Sequence, residues 1–181
     1  EIAWRIIIGF LLGLLGPVHA ASLNGVTQIS AGSNHTCALL GSGDLYCRGQ
    51  NTFGQVGASP AEAITLPVKV EIAGDLIQVA AGDSHTCALH KGGTVSCWGY
   101  NKEGEVGNGL TSSTSPIVTV SNLNHVIAIS AGRYHTCALT RDGKMSCWGE
   151  NAEGQVGDDA SKAVPNPLTV AGLENITAIA A

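Results

Sequence analysis

Short alternating or β-branched apolar stretches, separated by glycine-rich polar turns, run along most of the chain. No segment carries apolar residues at helical spacing between capping residues. In the clearest region the pattern predicts four strands, with the turn Arg141-Asp142-Gly143 between the second and third: Val126–Ser130, His135–Thr140, Lys144–Trp148 and Pro167–Val170. The pattern therefore predicts an all-β protein.

This pattern repeats every fifty residues without slippage. The segment His35-Thr36-Cys37-Ala38-Leu39, for example, recurs at His85 and at His135. The copies are 23–72, 73–122 and 123–172, followed by the start of a fourth at 173–181. Four short strands per copy without a helix predict a propeller blade rather than a helical solenoid. A β-helix, which needs shorter coils, is the alternative.

The N-terminal residues 1–20 have the layout of a secretory signal peptide. Arg5 precedes an apolar run from Ile6 to Leu15, and Val18-His19-Ala20 ends in a small residue. The run is shorter than the about 20 residues that a membrane span needs. We expect cleavage near Ala20, a secreted, periplasmic or cell-surface protein, and no membrane span afterwards. An uncleaved anchor and a buried N-terminal strand or helix are the alternatives.

Composition and charge narrow the function classes. The chain is 44% hydrophobic and only 13% charged, which favours a folded protein over a disordered one. Its net charge of -5 argues against a nucleic-acid partner, because proteins that bind nucleic acids carry a basic surface. Aromatic residues make up 4%, so the core has to come from Val, Ile, Leu and Ala.

The repeated unit, AGxxHTCAL…DGxxSCWGxNxxGQVG, resembles the repeat of the regulator of chromosome condensation family. The resemblance covers nearly everything after the first twenty residues. It implies a β-propeller, usually of seven blades, with sequence repeats offset from the blades. The fold class is therefore expected to be a partial propeller of four-stranded blades. The first copy departs from the pattern, because Arg48 stands where the other copies have Trp98 and Trp148.

Each copy carries one pair of cysteines, and we predict three disulfides: Cys37–Cys47, Cys87–Cys97 and Cys137–Cys147. A three-residue turn with glycine in the left-handed position at Gly143 places Cys137 opposite Cys147. Opposed residues of a non-hydrogen-bonded pair lie about 4.5 Å apart, within reach of a disulfide. Export would supply an oxidising compartment. One alternative is a zinc ion bound by His135, Cys137 and Cys147, although structural zinc sites usually have four ligands. The other is free thiols.

The other repeated residues favour structural roles. The triplicated histidines have no nucleophile or carboxylate at a fixed spacing, so we expect their rings to bond to a turn. We expect Trp98 and Trp148 to pack between blades, with ligand binding as the alternative. The Asn-x-x-Gly-x-Val-Gly segment lacks the Lys-Ser/Thr of a phosphate-binding loop, so its glycines should permit tight turns. The sequence thus predicts no catalytic, metal or cofactor site.

These features favour an exported, disulfide-stabilised propeller that binds a protein or a cell-surface ligand. The alternatives are a regulator resembling a guanine nucleotide exchange factor, or the non-catalytic repeat region of a larger secreted enzyme or adhesin. Since three copies cannot close a seven-bladed ring, we expect the gene to continue past Ala181.

The stretches 58–65, 108–115 and 158–165 differ between otherwise similar copies. Loops that vary on a constant scaffold are typical of binding surfaces, although drift in unconstrained linkers is the alternative. The candidate binding residues in and near these loops are Glu62, Thr111, Ser112, Ser113, Asp158, Asp159 and Lys162.

Overall fold

The computed structural model describes residues 22–158 and 162–181. These residues form twelve strands: β1 Val26–Ala31, β2 His35–Leu40, β3 Leu45–Asn51, β4 Ala61–Lys69, β5 Leu76–Ala81, β6 His85–His90, β7 Val95–Asn101, β8 Ser112–Thr119, β9 Val126–Ala131, β10 His135–Thr140, β11 Met145–Gly149 and β12 Val164–Thr169. The expected signal peptide lies outside the described residues.

The strands form three antiparallel four-stranded sheets, each built from consecutive strands of one copy. We call them blades 1, 2 and 3. The first strands of successive blades, β1, β5 and β9, lie beside one another. The prediction of an all-β partial propeller is therefore confirmed.

Two glutamines join the first strands of neighbouring blades. The side chain of Gln28 donates to the carbonyl of Val79 at 3.1 Å and accepts from the amide of Val79 at 2.9 Å. Gln78 repeats both bonds with Ile129, each at 2.9 Å. Each glutamine side chain thus forms the two hydrogen bonds that a paired strand residue would form with its neighbour. These bonds hold the first strands of two blades side by side, although the blades remain separate sheets.

Of the four strands whose bounds were predicted, the fourth differs most from the prediction. In blade 3 it begins at Val164 rather than Pro167, so it contains both Pro165 and Pro167. Because β12 is the last strand of its sheet, only one side pairs with a neighbour. A residue without an N–H is tolerated on the unpaired side. The third strand, Met145–Gly149, is shifted by one residue from the prediction.

The central hairpins have the predicted turns and register. Gly43, Gly93 and Gly143 have φ values of 87°, 83° and 76°, in the left-handed region. Each cysteine of β2, β6 and β10 pairs across the hairpin with its partner on the next strand. Their Cα atoms lie 4.1 Å apart and the sulfur atoms are bonded. The three predicted disulfides are confirmed, and the zinc alternative is wrong because the sulfur atoms bond to each other.

The apolar core lies between blades as well as within them. One buried cluster joins Cys37, Leu45 and Val56 of blade 1 to Val79 and Trp98 of blade 2. A second cluster joins blades 2 and 3 in the same way through Trp148. Each blade therefore depends on its neighbour for burial of its apolar faces. None of the described residues form a helix of the length and apolarity that crossing a membrane requires.

Candidate functional site

One end of every blade carries two connections side by side: the short turn between its first and second strands and the long segment between its third and fourth. The amide of Gln50, in the third strand, donates to the carbonyl of Asn34, in the short turn, at 2.8 Å. The same bond recurs from Tyr100 to Ser84 and from Glu150 to Tyr134. We call this end of the propeller the loop face.

Each long connection is folded around a buried asparagine. Asn51 accepts from the amide of Val56 at 3.0 Å and donates to the carbonyl of Ser59 at 2.7 Å. Within the same turn the amide of Gly57 donates to the carbonyl of Gly54. Both glycines have positive φ values, as predicted for tight turns. Because these amides bond within the loop, they are not available to hold a phosphate.

A repeated joint connects each long connection to the next blade. Backbone carbonyl oxygens of Gln55 and Glu105 each accept two bonds from the following blade. At Gln55 the donors are the Trp98 indole, at 3.0 Å, and the Thr86 hydroxyl, at 2.8 Å. At Glu105 the corresponding donors are Trp148, at 2.8 Å, and Thr136, at 3.2 Å. The predicted packing of both tryptophans between blades is confirmed.

The repeated histidines belong to the same joints. For His35 and His85 the prediction that the ring bonds to a turn was wrong: Nε2 of His35 lies 2.8 Å from the hydroxyl of Thr86, and His85 bonds to Thr136 at 2.9 Å. Each threonine donates its one proton to a carbonyl, so the histidine Nε2 must carry a proton and donate. Burial lowers the pKa of His35 to about 4 and that of His85 to about 3. Both rings are therefore neutral near pH 7 and serve as structural donors.

A buried carboxyl distinguishes the second joint from the first. Gln55 and Glu105 occupy equivalent positions, and both side chains are fully buried. One side-chain oxygen of each accepts a backbone amide two residues earlier. Burial raises the pKa of Glu105 to about 7. The protonated acid can take the place of the amide, but the ionised form is disfavoured there.

The structure places the candidate binding residues partly on strands rather than on loops. Glu62 lies in β4, and Ser112 and Ser113 lie in β8, all exposed. The reason is that β3 continues pairing to Asn51, which recruits Ala61 into the edge strand. Thr111 and Lys162 are exposed, Asp158 is half-buried, and Asp159 lies outside the described residues.

Two of the variable stretches come together in a groove between blades 1 and 2. Its volume is about 580 Å³. One wall is Gly57–Pro60 of blade 1, the other is Thr114–Ile117 of blade 2, and Phe53, Gly54 and Trp98 complete the lining. Of the six candidate residues that the structure describes, none lines the groove itself. The neighbouring positions of their stretches do.

Proline occupies the corresponding space between blades 2 and 3. The carbonyl of Pro165 accepts from the amide of Gly109 at 2.9 Å. Pro165 lies so close to Gly104 that a Cβ there would come within 2.5 Å of it. At the equivalent position blade 2 has Ser115. The strand register differs, however: Gly99 pairs with Ser115, whereas Gly149 pairs with Val164. The two spaces between blades therefore differ in the path of the fourth strand as well as in its side chains.

Three aromatic side chains that the sequence analysis missed form a row across the loop face. Phe53 of blade 1 meets Tyr100 of blade 2 edge-on, with ring centroids 4.9 Å apart. Tyr100 and Tyr134 of blade 3 follow at 6.2 Å, and the guanidinium of Arg133 lies 4.8 Å from the centre of the Tyr134 ring. The signal was hard to find because the three residues stand at different positions of their copies.

A second cavity, of about 630 Å³, lies at the opposite end of the propeller. It is formed where the connection Asn122–His125 meets the β10–β11 turn, and it is lined by Arg141, Asp142 and Lys144. Within 22–158 and 162–181, no three histidine, cysteine or acidic side chains group closely enough to hold a metal ion.

The model of the regulator of chromosome condensation repeat matches three times along the chain. One form of the model covers 26–55, 76–105 and 126–155, and a second covers 42–89 and 92–139. The chain belongs to this repeat family. The second form begins in the central hairpin of one blade and ends in the next blade, as the resemblance implied for repeats that are offset from blades.

Several solved structures share this fold. Prp20p from Saccharomyces cerevisiae aligns with a TM-score of 0.76 and 24% identity over 82% of this chain and 39% of its own. Human WBSCR16 aligns with a TM-score of 0.71 and 22% identity over 82% and 38%. The ectodomain of the Physcomitrella patens receptor kinase CR4 has a TM-score of 0.50 and 28% identity over 76% and 33%.

One curated sequence relative is the E3 ubiquitin-protein ligase highwire of Drosophila melanogaster. It is 36% identical over 49 residues, which are 27% of this chain and 1% of highwire. The chain thus spans well under half the length of Prp20p, of WBSCR16 and of highwire.

Proposed function

We propose that the chain is an exported, disulfide-stabilised propeller region that binds a protein or a cell-surface ligand through its loop face. The observation that carries this proposal is the groove between blades 1 and 2. It lies where two stretches that differ between copies meet, on a scaffold whose joints and turns repeat. Rigid scaffolds with variable connections are typical of binding proteins. The two buried histidines are engaged in joints, which favours binding over catalysis.

The three disulfides support an oxidising compartment, because disulfides persist outside the reducing cytosol. The likeness to the CR4 ectodomain supports the same setting, since an ectodomain is the extracellular part of a receptor. Prp20p, which was crystallised in a study of its binding to Gsp1p and histones, favours a protein partner. For an exchange-factor-like regulator of an intracellular partner, the disulfides would be unexpected.

Export and oxidation can be tested together on the protein from its own cells. We expect the mature N-terminus near Ala21, and we expect no thiol at any of the six cysteines when the unfolded, unreduced protein is alkylated. Mass spectrometry measures both, and a sample reduced before alkylation, which gains a label at each of these six cysteines, is the control. An N-terminus upstream of Ile6 in a protein with free thiols would contradict the proposal.

Binding at the groove can be tested by site-specific photo-crosslinking in the cells that make the protein. A photoreactive residue replaces Ser59 or Thr114 on the two walls, and Ser42, an exposed turn residue at the opposite end, is the matched control. We expect one product shared by positions 59 and 114 and absent at 42.

Replacing Ser115 by proline, the residue of blade 3 at that position, provides a second measurement. The substitution should narrow the groove and reduce the shared crosslink at least fivefold. Because Ser115 is buried and paired with Gly99, the thermal unfolding midpoint of S115P is measured alongside, and the crosslink is compared at a temperature at which both proteins are folded. Equal crosslinking from both ends of the propeller, or an undiminished product in S115P, would show that the groove is not the binding site.

A further inference from the structure

The aromatic row of Phe53, Tyr100 and Tyr134 is not required by the fold. At the position of Tyr100 the other copies carry Gln50 and Glu150, and at the position of Phe53 they carry Glu103 and Glu153. Tyr134 corresponds to Asn34 and Ser84. The backbone bond that connects the two loop-face connections is nevertheless the same in all three blades, at 2.8 to 2.9 Å.

Each copy therefore contributes one aromatic residue where its sister copies have polar ones, and the three meet in one row. All three side chains are half-buried, so part of each ring faces solvent. Within the described part of the chain, neither tyrosine hydroxyl forms a hydrogen bond. Packing explains the contacts between the rings, but it does not explain why aromatic residues occupy these three positions.

The charges around the row are mainly negative. Glu103 and Glu150 both act electrostatically on Tyr100, and both are partly exposed. The nearby Glu105 is buried, and burial disfavours its ionised form, so it adds little to this charge. At the far end the guanidinium of Arg133 already lies over Tyr134, so a cation within the chain uses one ring of the row. Electron-rich ring faces next to carboxylates attract cations and disfavour anions.

We propose that this row is a docking site for a lysine- or arginine-bearing segment of a protein partner. A basic side chain would lie against Tyr100 and Phe53, with Glu103 and Glu150 as its carboxylate neighbours. The peptide chain would continue into the adjoining groove, which shares Phe53 in its lining. The inference rests on the proposed binding function of the loop face and adds the chemistry of the partner.

The test uses a fluorescent, unstructured peptide of alternating arginine, glycine and serine, titrated against the chain by anisotropy. A peptide with citrulline in place of arginine has nearly the same shape without the charge. We expect the arginine peptide to bind at least tenfold more tightly than the citrulline peptide at low salt. We also expect its affinity to fall as the salt concentration rises.

Variants that take the residue of another copy assign the binding to the row. Tyr100→Gln introduces the residue that blade 1 carries at that position, Gln50, so folding should survive. Tyr100→Gln should weaken binding of the arginine peptide about threefold to tenfold, because the cation–π contact with a partly exposed ring is lost. The matched control is Tyr46→Ser, because Ser96 and Ser146 stand at the equivalent positions and Tyr46 lies outside the row. It should leave binding unchanged.

Equal binding of the arginine and citrulline peptides, or equal weakening by Tyr46→Ser, would overturn the inference. Binding of a neutral oligosaccharide such as cellohexaose in place of the peptide would also overturn it, since stacking without charge would then explain the row. Photo-crosslinks from Ser59 and Thr114 that persist in Tyr100→Gln would leave the binding function standing while this inference fails.

Discussion

Replacing Trp98 by alanine is expected to lower the free energy of unfolding by about 3–5 kcal/mol, the usual cost of removing a fully buried large aromatic side chain. Trp98 is only 1% exposed, and it packs in the core cluster that joins blades 1 and 2. Its loss also leaves the carbonyl of Gln55 with one donor fewer. Urea unfolding followed by circular dichroism measures the effect.

The chain supplies a matched control in Arg48, which stands at the same register position in blade 1. Thr36 pairs with Arg48 just as Thr86 pairs with Trp98. Arg48 is exposed, so Arg48→Ala should change the unfolding free energy by less than about 0.5 kcal/mol. Comparable losses in the two variants would show that burial between blades is not what makes Trp98 important.

Replacing Glu105 by glutamine should stabilise the chain at alkaline pH and leave it unchanged at acid pH. Burial raises the carboxyl pKa from 4.5 to about 7 in the folded state. Between these values the folded chain binds more protons than the unfolded chain, so its stability falls as pH rises through this window. A shift of this size corresponds to about 3 kcal/mol above pH 7, which Glu105→Gln should recover at pH 8.

Unfolding of both proteins at pH 4 and pH 8 isolates this effect, because the buried histidines contribute equally to each. The reverse substitution, Gln55→Glu, is the matched control in the first joint and should introduce a loss of similar size at pH 8. If Glu105→Gln stabilised the chain equally at both pH values, ionisation of the carboxyl would not be the cause.

The blade hairpins could be predicted from the sequence because their determinants are local. Gly143 needs the left-handed conformation, and that one residue sets the register that brings Cys137 to Cys147. The histidine contacts could not be predicted in the same way. The threonine that receives His35 lies 51 residues away in the next blade, and no local pattern indicates which polar groups meet across a joint.

The bounds of the fourth strand and the aromatic row could not be predicted from the sequence, for two other reasons. Prolines at 165 and 167 argue against a strand in the sequence, but they are tolerated because this strand lies at the edge of its sheet and its outer side is unpaired. Comparison of the copies position by position finds residues that repeat, whereas Phe53, Tyr100 and Tyr134 stand at three different positions. They come together only because each blade is rotated relative to the one before it. That rotation is determined by how the sheets pack, which no local sequence pattern indicates.

The joints between blades also bear on how such a chain can change in length. Within the described ranges, the side-chain hydrogen bonds that cross a joint connect a copy only to its immediate neighbour, at separations of up to 51 residues. Duplication or loss of one fifty-residue copy by unequal recombination would therefore bring together the same surfaces that meet now. The contacts at each joint therefore do not determine how many copies the chain has. That number is determined by the geometry of closing the ring.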